Sequence, residues 1–354
     1  MPPSLNRGGI NSLPDREFRI DELEGRSSDE FTEFSDYDLP SYVGSTTFQK
    51  LPSCPDDESL GASGAEVAIV GAPLDDGTSN RPGARFGPKA IRAATYHSGD
   101  LWSIQLETEV LNKVRCVDAG DAPVVASRLG RGLRVIHEKV WRVARTGAIP
   151  IVLGGDHSVT YPSAAAVARS RAPRTVGIVH FDAHADTGDD VWGSLVSHGT
   201  PMRRLIDEGW IEGKNFVQVG LRGYWPERDA FEWMREHGLR WHRMVEIEER
   251  GAESVVADAI AEALDGPDLV YLSIDVDVVY TGMAPGTGTP EPGGLLPREL
   301  LRAVRQIVGA VELAGMDVVE VSPAFDHADV TATMAHRCVL EALSSLAAKR
   351  PDPT

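Results

Sequence analysis

Potential metal ligands alternate along the segment HFDAHAD at residues 180–186. An extended backbone turns every second side chain to the same face, so Asp182, His184 and Asp186 are expected to converge on one point. The residues before them, 175–179, are mostly apolar and β-branched, which is typical of a buried strand. These ligands are therefore predicted at the carboxyl end of a strand, where open α/β sheets place their sites.

Two further segments carry the same kinds of side chain. The segment SIDVD at 273–277 is another strand end with Asp275 and Asp277 on one face. Aspartates in an apolar strand are costly unless they are paired or bind a metal. The segment LGGDHS at 153–158 runs from an apolar strand into two glycines, which allow close backbone approach, and then supplies His157. We expect the three segments to meet at one edge of a sheet.

The candidate ligands are four aspartates and two histidines, namely His157, Asp182, His184, Asp186, Asp275 and Asp277. Carboxylate and imidazole without thiolate suit Mn²⁺ or a similar divalent ion such as Ni²⁺. Six ligands are too many for one catalytic ion with an open position. They suit two metals that share bridging carboxylates, roughly 3.5–4 Å apart. Such a pair lowers the pKa of a bridging water, so that hydroxide is available at neutral pH.

A parallel sheet is needed to bring these segments together. From Glu66 onward, strand-like and helix-like segments alternate, which predicts one sheet with helices on both faces. The predicted strands are 67–71, 114–118, 149–153, 175–181, 216–219, 239–244, 269–275 and 316–321. The predicted helices are 129–145, 163–171, 228–237, 252–264, 297–308 and 330–347. The alternation never breaks, so residues 66–354 are interpreted as one catalytic domain.

Residues 1–65 are interpreted as an N-terminal extension or arm, because they are polar and acidic with little periodicity. The arm nevertheless carries several aromatic side chains, which predicts that part of it packs on the body or on a neighbouring subunit. These aromatic residues are Phe31, Phe34, Tyr37, Tyr42 and Phe48.

The overall charge narrows the choice of partners. The formal net charge of −18 argues against nucleic acid and anionic membranes, and it suits a small cationic ligand. Acidic surfaces also serve solubility alone. The three widely spaced cysteines indicate neither a disulfide framework nor a zinc knuckle. No signal peptide or long apolar run is apparent, so a cytoplasmic location is expected.

The motifs together resemble the ureohydrolases, the arginase and agmatinase family. The matching segments are RPGARFGP at 81–88, GGDHS at 154–158, FDAHAD at 181–186, SIDVD at 273–277, APGTGTPEPGG at 284–294 and EVSPAFD at 320–326. They stand in the family's order and cover the chain from about residue 66 to the end. The resemblance implies an arginase-like three-layer α/β/α fold with a parallel sheet of about eight strands. It also implies two Mn²⁺ ions per chain and a homo-oligomer, trimeric or hexameric.

The same resemblance assigns a role to each candidate residue. The ligands of one metal are His157 and Asp186, those of the other are His184 and Asp277, and the bridging carboxylates are Asp182 and Asp275. His198 matches a histidine that shuttles protons near the site. Glu320 matches the carboxylate that pairs with the substrate guanidinium. His180 lies one strand position off the ligand face and is expected to support the site or the core.

The resemblance further implies hydrolysis of a guanidino group to urea and an amine. Hydroxide attacks the guanidinium carbon, and the amine leaves after protonation through Asp186 or His198. Agmatine, which is cleaved to putrescine and urea in polyamine biosynthesis, is the first candidate substrate. Guanidinobutyrate, guanidinopropionate and free guanidine are alternatives. A one-zinc deacetylase on the related fold, or a silent homologue acting as a binding protein, is expected to have lost ligands, and all six are present.

The chain departs from the family pattern in two places. Tyr280 stands where a carboxylate is usual after the second aspartate pair. Gly188 stands where arginases place an asparagine that binds the α-carboxylate of arginine. The adjacent Asp189 and Asp190 are expected to repel a carboxylate and to tolerate the amine of agmatine if they face the pocket, which predicts that arginine is a poor substrate. Acidic guanidino compounds are less excluded if Arg203 or Arg222 enters the pocket.

Overall fold

The computed structural model describes residues 41–97 and 99–351. The described part contains ten strands: β1 Val67–Ala72, β2 Trp102–Ser103, β3 Thr108–Glu109, β4 Cys116–Asp121, β5 Ile149–Gly154, β6 Val176–Phe181, β7 Phe216–Leu221, β8 Arg240–Arg243, β9 Leu269–Asp275 and β10 Leu313–Val319. Its ten α-helices are α1 Asp57–Ser63, α2 Gly87–Ala93, α3 Leu129–Ala144, α4 Thr160–Arg171, α5 Pro201–Asp207, α6 Arg228–Glu236, α7 Met244–Arg250, α8 Ala252–Ala263, α9 Pro297–Ala310 and α10 Val330–Ala348.

Eight of the strands form one parallel sheet in the order β4-β1-β5-β10-β9-β6-β7-β8. The strands that precede the predicted ligands, β5, β6 and β9, therefore lie in the middle of the sheet with β10 among them. Their carboxyl ends meet at one edge because all the strands run in the same direction. The small β2–β3 pair is a separate antiparallel hairpin.

Side chains of the sheet alternate between two hydrophobic cores. In β1, Val67 and Ile69 face one core, whereas Ala68 and Val70 face the other. Helices α8, α9 and α10 cover the first face, and α3, α4 and α5 cover the second. The fold is thus the predicted three-layer α/β/α architecture with an eight-stranded parallel sheet.

All the predicted long elements are present, with ends displaced by at most about three residues, which is usual for boundaries. The sequence prediction missed helices α1, α2, α5 and α7, each of seven residues, and the β2–β3 hairpin. Two turns of helix are too short to display a periodic apolar stripe. Proline in the first turns of α2 and α5 was the available start signal.

Part of the predicted N-terminal arm packs on the body of the fold. Phe48 is buried, its ring stacks on that of His336 at 4.3 Å, and its backbone N–H donates to Asp118 at 2.8 Å. Tyr42, by contrast, is 88% exposed. Phe31, Phe34 and Tyr37 lie outside the described residues. The domain boundary at residue 65 stays a prediction.

Among the described helices, none combines the length and apolar character needed to cross a lipid bilayer.

Candidate active site

The predicted site residues gather beyond the carboxyl ends of the central strands. His157 follows β5, and Asp182 opens the segment after β6. Asp275 is the last residue of β9, and Glu320 comes directly after β10. Four strands that are adjacent in the sheet, but distant in the chain, therefore supply one site.

One group of ligands surrounds the Nδ1 atom of His157. Carboxylate oxygens of three aspartates lie close to this atom: Asp186 at 2.8 Å, Asp182 at 3.0 Å and Asp275 at 3.2 Å. All four side chains are buried. This arrangement contains both ligands predicted for the first metal and both predicted bridging carboxylates.

The second group surrounds His184. Its Nδ1 atom lies 3.1 Å from Oδ2 of Asp277 and 3.5 Å from Oδ1 of Asp182. Asp182 therefore presents Oδ2 to His157 and Oδ1 to His184. One carboxylate between two histidine groups is the geometry expected of a bridging ligand.

Hydrogen bonds on the far side of His157 fix its tautomer. Its Nε2 atom lies 3.1 Å from Oγ of Ser273, and that hydroxyl lies 2.7 Å from Oδ1 of Asp317. The buried Asp317 accepts the hydroxyl hydrogen, so Ser273 accepts from Nε2–H and Nδ1 keeps a lone pair toward the site. Tyr271 donates to the other oxygen of Asp317 at 2.8 Å. Sequence reasoning missed this support, although a buried aspartate inside an apolar strand signals it.

His180 orients a ligand instead of acting as one. The amide nitrogen of Gln218 donates to Ala185 O at 2.7 Å and lies 3.0 Å from Nδ1 of His180. Nδ1 therefore accepts, and Nε2–H donates to Oδ2 of Asp182 at 2.9 Å. This supports the prediction that His180 is a supporting or core residue.

The donor set fits metal ions. His157 Nδ1 and Asp277 Oδ2 are buried, and the ligand atoms close to them do not form well-aligned hydrogen bonds with them within the described structure, which is costly unless a metal ion or another ligand binds there. Burial and the charges of Asp277 and Asp182 raise the pKa of Asp275 well above its ordinary value. Burial and the charge of Asp182 raise the pKa of Asp277 to about 6. Crowded buried carboxylates of this kind are stabilised by cations.

Glu320 has one oxygen engaged and one free. Oε1 accepts from the backbone N–H of His157 at 2.9 Å and lies 2.9 Å from Nδ1 of His198. Oε2 is buried and has no hydrogen-bond partner in the described structure. The residue also adopts a positive φ of 65°, which is uncommon outside glycine and typical of functional sites. A buried free carboxylate oxygen suits a guanidinium N–H group.

Glycine residues allow two loops to approach the ligands closely. A Cβ atom on Gly155 would lie 1.8 Å from Leu74 O, which no side chain permits. A Cβ atom on Gly77 would lie 3.1 Å from an Asp156 oxygen and 3.2 Å from His198 N. The predicted close backbone approach in the GGDHS segment is thus observed.

A cavity of about 570 Å³ opens onto these ligands. Its buried part includes Asp186, Asp275 and His198, and its exposed rim includes Trp192 and Glu227. The remaining lining residues are Ser79, His184, Asp190, Val191, Gly199, Trp225 and Thr289. None of the lining residues in the described part of the chain is a lysine or an arginine.

Only some of the residues predicted to determine substrate specificity line the cavity. Asp189 does not line the cavity, because its carboxylate turns to Arg203 at 3.3 Å and Arg204 at 3.5 Å. Asp190, the other aspartate that was expected to face the pocket, does line it. Gly188 lies behind Trp225, and a Cβ atom there would be 3.1 Å from the indole ring.

The two arginines that were suggested to enter the cavity make their contacts outside it. Arg222 binds backbone carbonyl groups, including Asp277 O at 2.6 Å and Glu291 O at 2.8 Å. Arg203 lies over the ring of Trp233 at 4.4 Å in addition to its contact with Asp189. The suggestion that either arginine enters the cavity is therefore wrong for this structure. Tyr280 is 47% exposed and absent from the lining, and the six ligands cluster without a carboxylate at its position.

Comparison with known proteins agrees with this geometry. The model of the arginase family matches residues 65–344. The proclavaminate amidinohydrolase of Streptomyces clavuligerus is 40% identical over 84% of this chain and 91% of its own. Its solved structure superposes with a TM-score of 0.81 over 88% of this chain and 100% of that one, at 37% identity.

Two other relatives are similar at the same level. The guanidinopropionase of Pseudomonas aeruginosa is 40% identical over 88% of this chain and 94% of its own. The mitochondrial agmatinase of Gallus gallus is 39% identical over 86% of each chain. The resemblance drawn from the motifs is thereby confirmed. The chain belongs to the arginase family of binuclear-metal hydrolases, which cleave C–N bonds of guanidino and related amidine groups.

Proposed function

We propose that this enzyme hydrolyses a guanidino compound with a cationic or neutral tail to urea and an amine, and that agmatine is its first substrate. The six ligands, His157, Asp182, His184, Asp186, Asp275 and Asp277, would hold two divalent ions, with Mn²⁺ the first candidate and Ni²⁺ an alternative. When bound, the ions supply hydroxide at neutral pH and stabilise developing negative charge.

The charged side chains that line the cavity are the basis for the proposed substrate preference. Its exposed rim holds the carboxylates of Asp190 and Glu227, and no lysine or arginine lines the cavity within the described residues. A substrate carboxylate at the rim would lose water beside two carboxylates without gaining a lysine or arginine donor, which is unfavourable. A substrate ammonium group would be attracted by both carboxylates and by the indole faces of Trp192 and Trp225.

Protein groups bind and protonate the substrate. In this proposal the partnerless Oε2 of Glu320 accepts from the guanidinium, as the family resemblance implies, and orients its carbon toward the ligand cluster. His198 is held by Glu320 on one side and faces the cavity. Its imidazolium form is the acid that protonates the departing amine, with Asp186 as the other candidate.

Guanidino acids are the alternative substrate class. Proclavaminate amidinohydrolase and guanidinopropionase are as similar to this chain as the agmatinase is, so sequence similarity alone does not choose between them. Free guanidine has no tail and tests whether a tail matters at all.

The test is urea release from agmatine, arginine, guanidinobutyrate, guanidinopropionate and free guanidine with one metal at one concentration. Agmatine should exceed arginine in kcat/KM by at least about 10²-fold, roughly 3 kcal/mol in transition-state terms. It should also exceed both guanidino acids. Arginine or a guanidino acid as the best substrate would overturn the proposed specificity, and no urea from any compound would overturn the activity.

A further inference from the structure

Both ring nitrogens of His198 are engaged by the protein. Nδ1 lies 2.9 Å from Oε1 of Glu320. On the other side, Nε2 lies 2.7 Å from Oγ of Ser79 and accepts from the backbone N–H of the same residue at 3.1 Å. A backbone N–H can only donate, so the neutral ring carries its hydrogen on Nδ1 and donates it to Glu320.

Ser79 presents a more exposed hydroxyl to the cavity than the buried histidine beside it. His198 is 8% exposed, whereas Ser79 is only half-buried, and both line the cavity. Because Nδ1 is bound to Glu320 in either charge state, the exchangeable hydrogen of the imidazolium is the one on Nε2. That hydrogen points at the hydroxyl of Ser79.

Anchored neighbours hold Ser79 in place. Asp156, in the GGDHS segment, accepts from Gly77 N at 2.8 Å, and Gly77 O accepts from His198 N at 3.0 Å. On the other side, the amide of Asn80 donates to Gly288 O at 2.9 Å. The loop after β1 is thus tied to the His198 segment, to the GGDHS turn and to the loop after β9.

We propose that the Ser79 hydroxyl relays the proton of His198 to the departing amine. As the C–N bond breaks, the Oγ–H bond of Ser79 breaks and a new N–H bond forms on the amine. The Nε2–H bond of His198 breaks in the same step and restores the hydroxyl. One proton moves from imidazolium to amine, and neutral His198 again accepts from Ser79.

This relay rests on the proposed function and concerns how its last step is completed. The charged groups that face His198 are Glu320, Asp156 and Asp186. They favour the imidazolium that the relay needs, while the Ser79 backbone N–H favours the neutral ring that remains afterwards. A hydroxyl suits both states because it can accept or donate.

The test compares Ser79→Ala and Ser79→Thr with the wild-type enzyme on two substrates. One is agmatine, and the other is its oxyguanidine analogue, in which oxygen replaces the methylene next to the guanidino group. The analogue releases a much less basic amine, which departs with little help from an acid. Ser194→Ala is the matched control, because its hydroxyl binds Val196 O and does not line the cavity.

For Ser79→Ala, kcat on agmatine should fall at least about 10-fold, with KM and metal content unchanged. The loss should shrink to about 2-fold or less on the analogue, and Ser79→Thr should restore most of the rate. In a His198→Ala background, Ser79→Ala should cost nothing further, because the two residues act in series.

Equal losses on both substrates, or an additive loss in the double variant, would show that Ser79 only supports the loop and would overturn the relay. An unchanged rate in Ser79→Ala would overturn it as well. Failure of the proposed function is a separate result, since wild-type enzyme would then release no urea from either substrate.

Discussion

The floor and the rim of the cavity are built differently. At the floor, the six ligands lie at or just beyond the ends of the central strands, and their donor atoms are held by buried partners such as Ser273, His180 and backbone N–H groups. At the rim, Asp190 and Glu227 are exposed, and Trp192 is 87% exposed in a tight turn with a positive φ of 51°.

This difference implies that the floor performs the reaction, whereas the rim determines which substrate is preferred. Changing a floor residue leaves buried charges without partners, which is expensive, so the floor tolerates little variation. The rim residues are solvated, so their replacement costs little stability and changes mainly the affinity for a substrate tail. Relatives with different substrates at 38–40% identity are expected from such a construction.

The largest effect is expected at the floor, from Asp182→Asn. This variant keeps the shape but removes the carboxylate charge between His157 and His184. Turnover should become undetectable and bound metal should fall below two ions per chain, while circular dichroism stays unchanged. Asp265→Asn is the control, because Asp265 is 85% exposed and far weaker effects are expected there. A folded Asp182→Asn enzyme with full activity would contradict the binuclear mechanism.

Removal of the acid should have the next largest effect. Burial lowers the pKa of His198, but the hydrogen bond and charge of Glu320, with the charges of Asp156 and Asp186, raise it to about 9. The imidazolium is therefore present below that pH and is lost above it, so wild-type kcat should fall as pH rises through about 9. His198→Ala should lower kcat by about 10²–10⁴-fold and remove this alkaline limb. Retained activity with the same pH profile would mean that His198 is only a loop residue.

A smaller effect is expected one layer behind the ligands. Ser273→Ala removes the acceptor that holds Nε2–H of His157, so the ring loses its orienting contact. Metal affinity, measured by titration into metal-free protein, should fall about 10–100-fold. Ser344→Ala is a matched buried control, since that hydroxyl binds only a carbonyl of its own helix, Leu340 O, among the described contacts. Equal affinities in the two variants would exclude an orienting role for Ser273.

The sequence was sufficient for the floor, because its signals are local. Asp182, His184 and Asp186 share one segment, and the alternating pattern singled them out, although the strand ends at Phe181 and Asp186 has a positive φ of 53°, so the backbone that carries them is a loop and not the extended strand expected. The three-layer fold followed from alternating strands and helices. The family resemblance then supplied His198 and Glu320, which no spacing rule connects to the ligands.

The rim was not predictable in the same way. Asp189 and Asp190 are neighbours with the same chemistry, and only the ion pairs of Asp189 with Arg203 and Arg204 turn it away from the cavity. Glu227 follows Trp225 in the loop after β7, and no local pattern links it to the segment after β6. Such residues meet through tertiary packing, which an isolated segment does not encode.

The smallest effect, and the one that tests the role of the rim, is expected from Glu227→Gln and Asp190→Asn. Each variant removes one negative charge beside the tail of the substrate and leaves the floor untouched. An exposed charge pair is worth about 0.2–1 kcal/mol, so kcat/KM for agmatine should fall about 1.5- to 5-fold in each variant, mainly through KM. The kcat/KM for guanidinobutyrate should rise by a similar factor, because a repulsive charge has been removed.

Glu236→Gln is the matched control, since Glu236 is exposed on α6 and does not line the cavity, so a general charge effect would appear there too. Both rim effects should weaken in high salt, as expected of solvated charges. If all three variants change kcat/KM for the two substrates by the same factor, the rim carboxylates do not recognise the substrate tail. Substrate preference must then come from the shape that Trp192 and Trp225 give to the cavity.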